Sequence, residues 1–208
     1  GEEGSGAVFF TGCNLRCVYC QNYHIARAEQ GKEITIERLA EIFLELQAQN
    51  ANNINLVTGT HYVPQIVEAL KISKEKGLKI PIVFNCGGYE SVSTLQILEG
   101  LVDIYLPDFK YMDSERAKRY SHAANYPETA KDALAEMVRQ QPEAVFDERG
   151  MMQKGVIVRH LMLPGGIRDS KAVVSYLYET YKDQIYLSLM NQYTPCLLYT
   201  SPSPRDTE

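Results

Sequence analysis

The sequence predicts an α/β fold built on a parallel sheet, and three observations carry that prediction. Apolar segments of strand character alternate with segments of helical periodicity along the chain. The strand segments are nearly continuous apolar runs, which is how strands covered on both faces read. Polar residues follow the carboxyl end of each strand segment, the edge at which parallel α/β folds build their sites. An open doubly wound sheet and a partial barrel both satisfy this pattern, and periodicity does not choose between them.

The elements follow in order. AVFFTG (7–12) is a short strand ending at a glycine, and NINLVTG (53–59), IPIVFNC (80–86) and VDIYLPD (102–108) are the next three. Between them, 34–49 places Ile36, Leu39, Ile42, Phe43 and Leu46 at helical spacing, with Thr35 as the cap. Residues 63–77 are a helix with Pro64 in its first turn and Gly77 as its stop, and 91–100 is a helix ending at Gly100. Two helical stretches, 114–122 and 128–141, precede a polar interlude at 146–155. VIVRHLML (156–163) is the fifth strand, 170–182 a helix and QIYLSLM (184–190) the sixth strand.

At 208 residues the chain supports one sizeable core and is short for two domains. A net charge of -5 argues against a nucleic-acid binder, which needs a basic surface. No apolar run approaches the ~20 residues of a membrane helix. No secretory signal precedes the cysteines, and their odd count of five, three of them clustered, makes a poor disulfide framework. A reducing compartment, the cytoplasm, is the expected location.

The three clustered cysteines, Cys13, Cys17 and Cys20, are spaced C-x3-C-x2-C after the first strand. A structural zinc site wants four ligands, so zinc here would need His24 or His61 as the fourth. Cys17-x-x-Cys20 has the spacing of a redox pair but leaves Cys13 without a role. A four-iron cluster is usually tied by four cysteines, and three would leave one iron open to an exogenous ligand. The other strand ends carry Thr58 to His61; Asn85 and Cys86; Asp108 and Lys110; Arg159 and His160; and Asn191 to Tyr193. His160 reads as a structural histidine and Cys86 as a core thiol.

With Tyr19 just before its last cysteine, this motif resembles that of the radical S-adenosylmethionine superfamily. GSGAVFFTGCNLRCVYCQN, NLVTGTHY, FNCGGYES, VDIYLPDFKYMD, VIVRHLMLPGG and LSLMNQYTP extend the resemblance over residues 1–195, to homologues of the pyruvate formate-lyase activating enzyme. The resemblance implies a partial (β/α)6 barrel. It implies a [4Fe-4S] cluster on Cys13, Cys17 and Cys20, with S-adenosylmethionine chelating the fourth iron. The cluster would cleave that cofactor to methionine and a 5′-deoxyadenosyl radical, which takes hydrogen from a substrate. It implies an electron donor such as flavodoxin or ferredoxin, and a glycine of a partner enzyme as the substrate. A peptide- or small-molecule-modifying radical enzyme is the alternative, and a zinc-binding structural domain on the three cysteines and His24 is the reading outside the enzyme class.

The same resemblance implies cofactor contacts from Tyr19, from Gly59, Thr60 and His61, and from Asn85, Asp108, Lys110, Arg159 and Gln192. Gly59-Thr60-His61 replaces the family's Gly-Gly-Glu stretch and removes its carboxylate. Asn85 stands where the activating enzyme has an aspartate. Lys110 would meet the carboxylate of S-adenosylmethionine. From Cys196 onward the chain reads CLLYTSPSPRDTE, without periodicity and similar to translated sequencing-adapter read-through. The expectation is a domain at 1–195, a non-native or disordered tail at 196–208, and a protein truncated at both ends.

Overall fold

A computed structural model describes residues 4–193. The tail at 196–208 therefore lies outside the described residues, and so do residues 1–3. Six strands run parallel in the order β1 (Gly6–Phe9), β2 (Ile54–Val57), β3 (Ile82–Cys86), β4 (Ile104–Pro107), β6 (Met152–Leu161) and β7 (Tyr186–Met190). The seventh, β5 (Val145–Phe146), pairs antiparallel with the first residues of β6. The sheet does not close, and with helices joining its parallel strands it is a partial (β/α)6 barrel, which settles the choice that periodicity left open.

Each connecting helix is set by local chemistry. After the one-turn α1 (Tyr23–Ala26), α2 (Ile36–Ala48) begins where the Thr35 hydroxyl accepts the Arg38 N–H. α2 buries Leu39, Ala40 and Phe43. Pro64 lies in the first turn of α3 (Val63–Glu75), where a missing N–H leaves no bond unmade. The Ser91 hydroxyl caps α4 (Val92–Ile97), and the Asp113 carboxylate accepts two N–H groups to cap α5 (Ser114–Ser121). α6 (Tyr126–Gln140) starts two residues earlier than its periodicity predicts, with Pro127 in its first turn. α7 (Ile167–Tyr181) starts three residues early. The core fills the space between this helical layer and the sheet, around Phe43, Ile66, Leu70, Phe84, Tyr105 and Met137.

Two expectations change. The polar interlude at 146–155 is a β-hairpin, so the strand expected from 156 begins at Met152. Asp147 accepts the N–H groups of Arg149 and Met151, and Gly150 takes a positive φ of 73° to close the turn. Polar residues on the first half of β6 hide it from an apolar-run criterion. The second change is the last strand, which is not covered on both faces: Tyr186, Leu187 and Leu189 are exposed. β7 ends the sheet order, beyond β6. The barrel also gains a 3₁₀ turn at Gly59–Tyr62, which decides where three predicted residues go.

Candidate active site

A cavity of about 400 Å³ opens at the carboxyl ends of the strands, within the size range of small-molecule sites. The cysteine loop forms one wall. Gly12 turns the chain out of β1 with a φ of 83°, and its N–H bonds to the Ile25 carbonyl at 2.9 Å. Leu15 anchors the loop in the core, and Val18 N–H bonds to the Tyr120 carbonyl at the end of α5. Cys13, Cys17 and Cys20 all line the cavity, and none is joined in a disulfide. Burial, above all, pushes the Cys13 thiol up to about 11, so metal loading has to displace its proton. Among the described residues, no three His, Cys, Asp or Glu side chains are grouped around a point where a single ion could sit.

The opposite wall is a charged array on β3, β4 and β6. Lys110 Nζ donates to Asp108 Oδ2 at 2.5 Å. Arg159 Nη2 lies 2.8 Å from Asp108 Oδ1 and donates to Asn85 Oδ1 at 2.7 Å. Burial alone would raise Asp108 and lower Lys110. Their mutual attraction, with Arg159 beside Asp108, outweighs it, so Asp108 falls and Lys110 rises from their ordinary values. Two cations against one carboxylate leave the wall net positive. Arg159 Nε is buried without a hydrogen-bond partner, and so is Asn55 Oδ1 deeper in the same cavity. Tyr126 fixes this wall by backbone: its hydroxyl accepts the Lys110 N–H and donates toward the carbonyls of Gly87 and Asp108, each at 2.9 Å.

Most residues singled out from the sequence meet here. Tyr19, Asn85, Asp108, Lys110, Arg159 and Gln192 line the cavity with the cysteines. Gly59, Thr60 and His61 do not belong to its wall. Thr58 adopts a left-handed conformation, φ 59°, and starts the 3₁₀ turn that carries them away. Gly59 is buried against Ile66 and Phe10, Thr60 donates to Glu90 at 2.9 Å, and His61 is exposed. Thr58 itself lines the cavity in their place. His24 is exposed on α1 and bonds to Glu29, away from the cysteines' wall. His160 is structural as expected: its ring bonds to the Phe109 carbonyl and the Ser170 hydroxyl. Cys86 is a core thiol that also touches the cavity.

Sequence reasoning missed Glu90, which is 1% exposed, and the buried hydroxyls of Tyr111 and Ser121. Glu90 sits in the loop before the Ser91 cap and reads as a surface acid. Burial raises its carboxyl above the ordinary range. Tyr111 directly follows Lys110, but nothing local marks it as a partner of the cysteine loop.

The comparisons with known proteins agree with this geometry. The model of the radical SAM superfamily matches residues 7–165. The chain belongs to the radical SAM superfamily, whose members use a [4Fe-4S] cluster and S-adenosylmethionine. An uncharacterised protein of Methanocaldococcus jannaschii is 28% identical over 198 residues, covering 92% of this chain and 54% of that protein. The pyruvate formate-lyase-activating enzyme of Clostridium pasteurianum is 33% identical over 116 residues, covering 53% of this chain and 48% of that enzyme. The chain thus spans about half the length of these curated relatives. Streptococcus suis SuiB bound to S-adenosylmethionine shares the fold, with a TM-score of 0.62 and 14% identity over 92% of this chain and 41% of SuiB.

The donor set fits the family's cofactors. Three thiols on one loop face a cavity large enough for a small molecule. The facing wall offers Lys110 and the unpartnered Arg159 Nε to a ligand carrying a carboxylate.

Proposed function

We propose that this radical S-adenosylmethionine enzyme holds its cluster on Cys13, Cys17 and Cys20 and acts as a glycyl-radical activase, with a backbone glycine of a partner enzyme as its substrate. When bound, the cluster and S-adenosylmethionine supply one-electron cleavage of a sulfonium and a carbon radical able to take a hydrogen atom. The chain's own residues orient and shield. Lys110 donates to the carboxylate of the cofactor's methionine moiety, and Asp108 holds the ammonium in place. Arg159, braced by Asn85, keeps an N–H for the same ligand or the substrate. Tyr19 and Gln192 bound the remainder of the cofactor's space. The walls frame a cavity of about 400 Å³ in which a reactive species would be held against the protein. Gly59, Thr60 and His61 have no part in this assignment.

One observation carries the reading: three thiols and a net-positive wall of Lys110, Asp108 and Arg159 face each other across one cavity. The partial likeness to the Clostridium pasteurianum activating enzyme supports the narrower role. Electrons would come from a small redox protein such as flavodoxin or ferredoxin, and three thiols of this kind suit a reducing cytoplasm.

The test is anaerobic reconstitution followed by S-adenosylmethionine and dithionite. Roughly four irons per chain and release of 5′-deoxyadenosine are the expected results. A glycyl-radical enzyme of the pyruvate formate-lyase type, added as the probe, should then show a glycyl signal by electron paramagnetic resonance. Deoxyadenosine without that signal would keep the radical chemistry and move the substrate to a peptide or small molecule. Zinc in place of iron would overturn the assignment.

A further inference from the structure

Behind Cys17 runs a chain of buried hydroxyls in which Ser121 and Tyr111 have no part in the proposed roles and Tyr19 contributes there only as a cavity wall. Cys17 Sγ lies 3.0 Å from Ser121 Oγ. Ser121 Oγ lies 2.8 Å from Tyr111 Oη, and Tyr111 Oη 2.6 Å from Tyr19 Oη. All four residues are buried, Tyr111 and Ser121 to 1% and 2% exposure. Three hydroxyls, drawn from the cysteine loop, the loop after β4 and the end of α5, form one linear chain that ends on the sulfur through Ser121.

We propose that Ser121 is a positioning residue that tunes the cluster: its hydroxyl donates to the Cys17 sulfur and raises the cluster's reduction potential, with Tyr111 and Tyr19 aligned behind it. This rests on the reading that Cys17 is a cluster ligand. An iron-bound thiolate has no proton and only accepts, which fixes the direction of the whole chain. Ser121 must donate to Cys17. With its proton committed, it accepts from Tyr111, which in turn accepts from Tyr19. Each hydroxyl has one proton to give and gives it toward the sulfur, so the bonds polarise one another in the same sense. Donation to a ligating sulfur favours the reduced cluster, which carries one more negative charge. The Val18 N–H bond to the Tyr120 carbonyl joins the cysteine loop to the residue before Ser121, so sulfur and hydroxyl stay in register through the backbone.

The test is potentiometric titration of the reconstituted cluster without S-adenosylmethionine, followed by electron paramagnetic resonance. Ser121→Ala should lower the potential, leaving the cluster about tenfold less reduced at a fixed poise, which is ~59 mV for a one-electron couple. Tyr111→Phe keeps the ring and removes only the hydroxyl behind Ser121. It should shift the potential in the same direction by less, and Tyr19→Phe by less again. That graded order is a signature that a purely structural role would not give. If Ser121→Ala fails to hold a cluster, Tyr111→Phe still decides. Loaded variants with the wild-type potential, or a larger shift for Tyr111→Phe than for Ser121→Ala, would overturn the inference alone. A wild-type chain that takes up no cluster would overturn the functional reading beneath it.

Discussion

Replacing Asp108 by asparagine tests the charged wall directly, because the two side chains have nearly the same shape. In the wild type one carboxylate answers two cations, Lys110 at 2.5 Å and Arg159 at 2.8 Å. Breaking a fully buried pair costs about 3–5 kcal/mol, and an exposed pair contributes about 0.2–1 kcal/mol. Lys110, Asp108 and Arg159 are 15%, 20% and 26% exposed, closer to the buried limit. A loss of about 2–3 kcal/mol is therefore expected at neutral pH. For a chain of this size that lowers Tm by roughly 5–10 °C. The pH dependence gives a second check. Lys110 and Arg159 hold the folded Asp108 below its ordinary value of 3.8. Its contribution is therefore full above that value and disappears as pH falls through the lower folded one. Urea unfolding of Asp108→Asn and wild type at a series of pH values should show a constant gap down to about pH 4 that narrows below it. A variant as stable as wild type at neutral pH, or a gap already closing near pH 6, would refute the reasoning.

Three further expectations follow from the same contacts. Lys110→Met should weaken S-adenosylmethionine binding about tenfold or more, the worth of one charge-assisted hydrogen bond, in calorimetric titration of the reconstituted protein. Gly88→Ala should lose at least ~2 kcal/mol in urea unfolding, because φ is 75° there and a Cβ would meet the Asp108 carbonyl and the Tyr126 hydroxyl. Glu90→Gln should alter the pH profile in the opposite sense to Asp108→Asn. The folded Glu90 carboxyl lies above its ordinary 4.5, chiefly through burial, so its stabilisation is full below that value and is lost as pH rises through the folded one. The glutamine variant should show a flatter decline in stability above about pH 5, and identical slopes would contradict the buried placement of the acid.

What the sequence made legible was chemistry written in local spacing. Cys13, Cys17 and Cys20 sit on one loop, so their common wall is fixed within eight residues. Asp108, Lys110 and Arg159 were singled out from their strand-end positions and from the family resemblance, and they share one wall because parallel strands deliver their carboxyl ends to one edge. Gly59, Thr60 and His61 lie outside the cavity wall for a conformational reason. The strand end does face the cavity at Thr58, but a left-handed φ at that threonine diverts the next residues, and a non-glycine in that conformation leaves no mark in the sequence. Glu90 was not visible in the sequence because its burial is tertiary: only the fold brings it to Thr60, 30 residues away. Ser121 is further out of reach, 104 residues from Cys17.

The two walls are built differently, and that difference has a functional consequence. The charged wall is rigid through the sheet itself: Asp108 and Arg159 are bridged by backbone, with Phe109 N–H bonded to the Arg159 carbonyl at 2.8 Å. Tyr126 then ties the ends of β3 and β4 together. The cysteine wall is an irregular loop held at a few points, by Gly12 to Ile25, Val18 to Tyr120, and Asn14 Nδ2 to the Tyr89 carbonyl at 2.6 Å. A cluster that has to be loaded needs a loop that can admit it, whereas a cofactor oriented for bond cleavage needs a fixed frame on its other side. The hydroxyl chain from Tyr19 through Tyr111 and Ser121 joins the two, since Tyr111 lies one residue beyond Lys110 and its hydroxyl reaches toward the loop's sulfur.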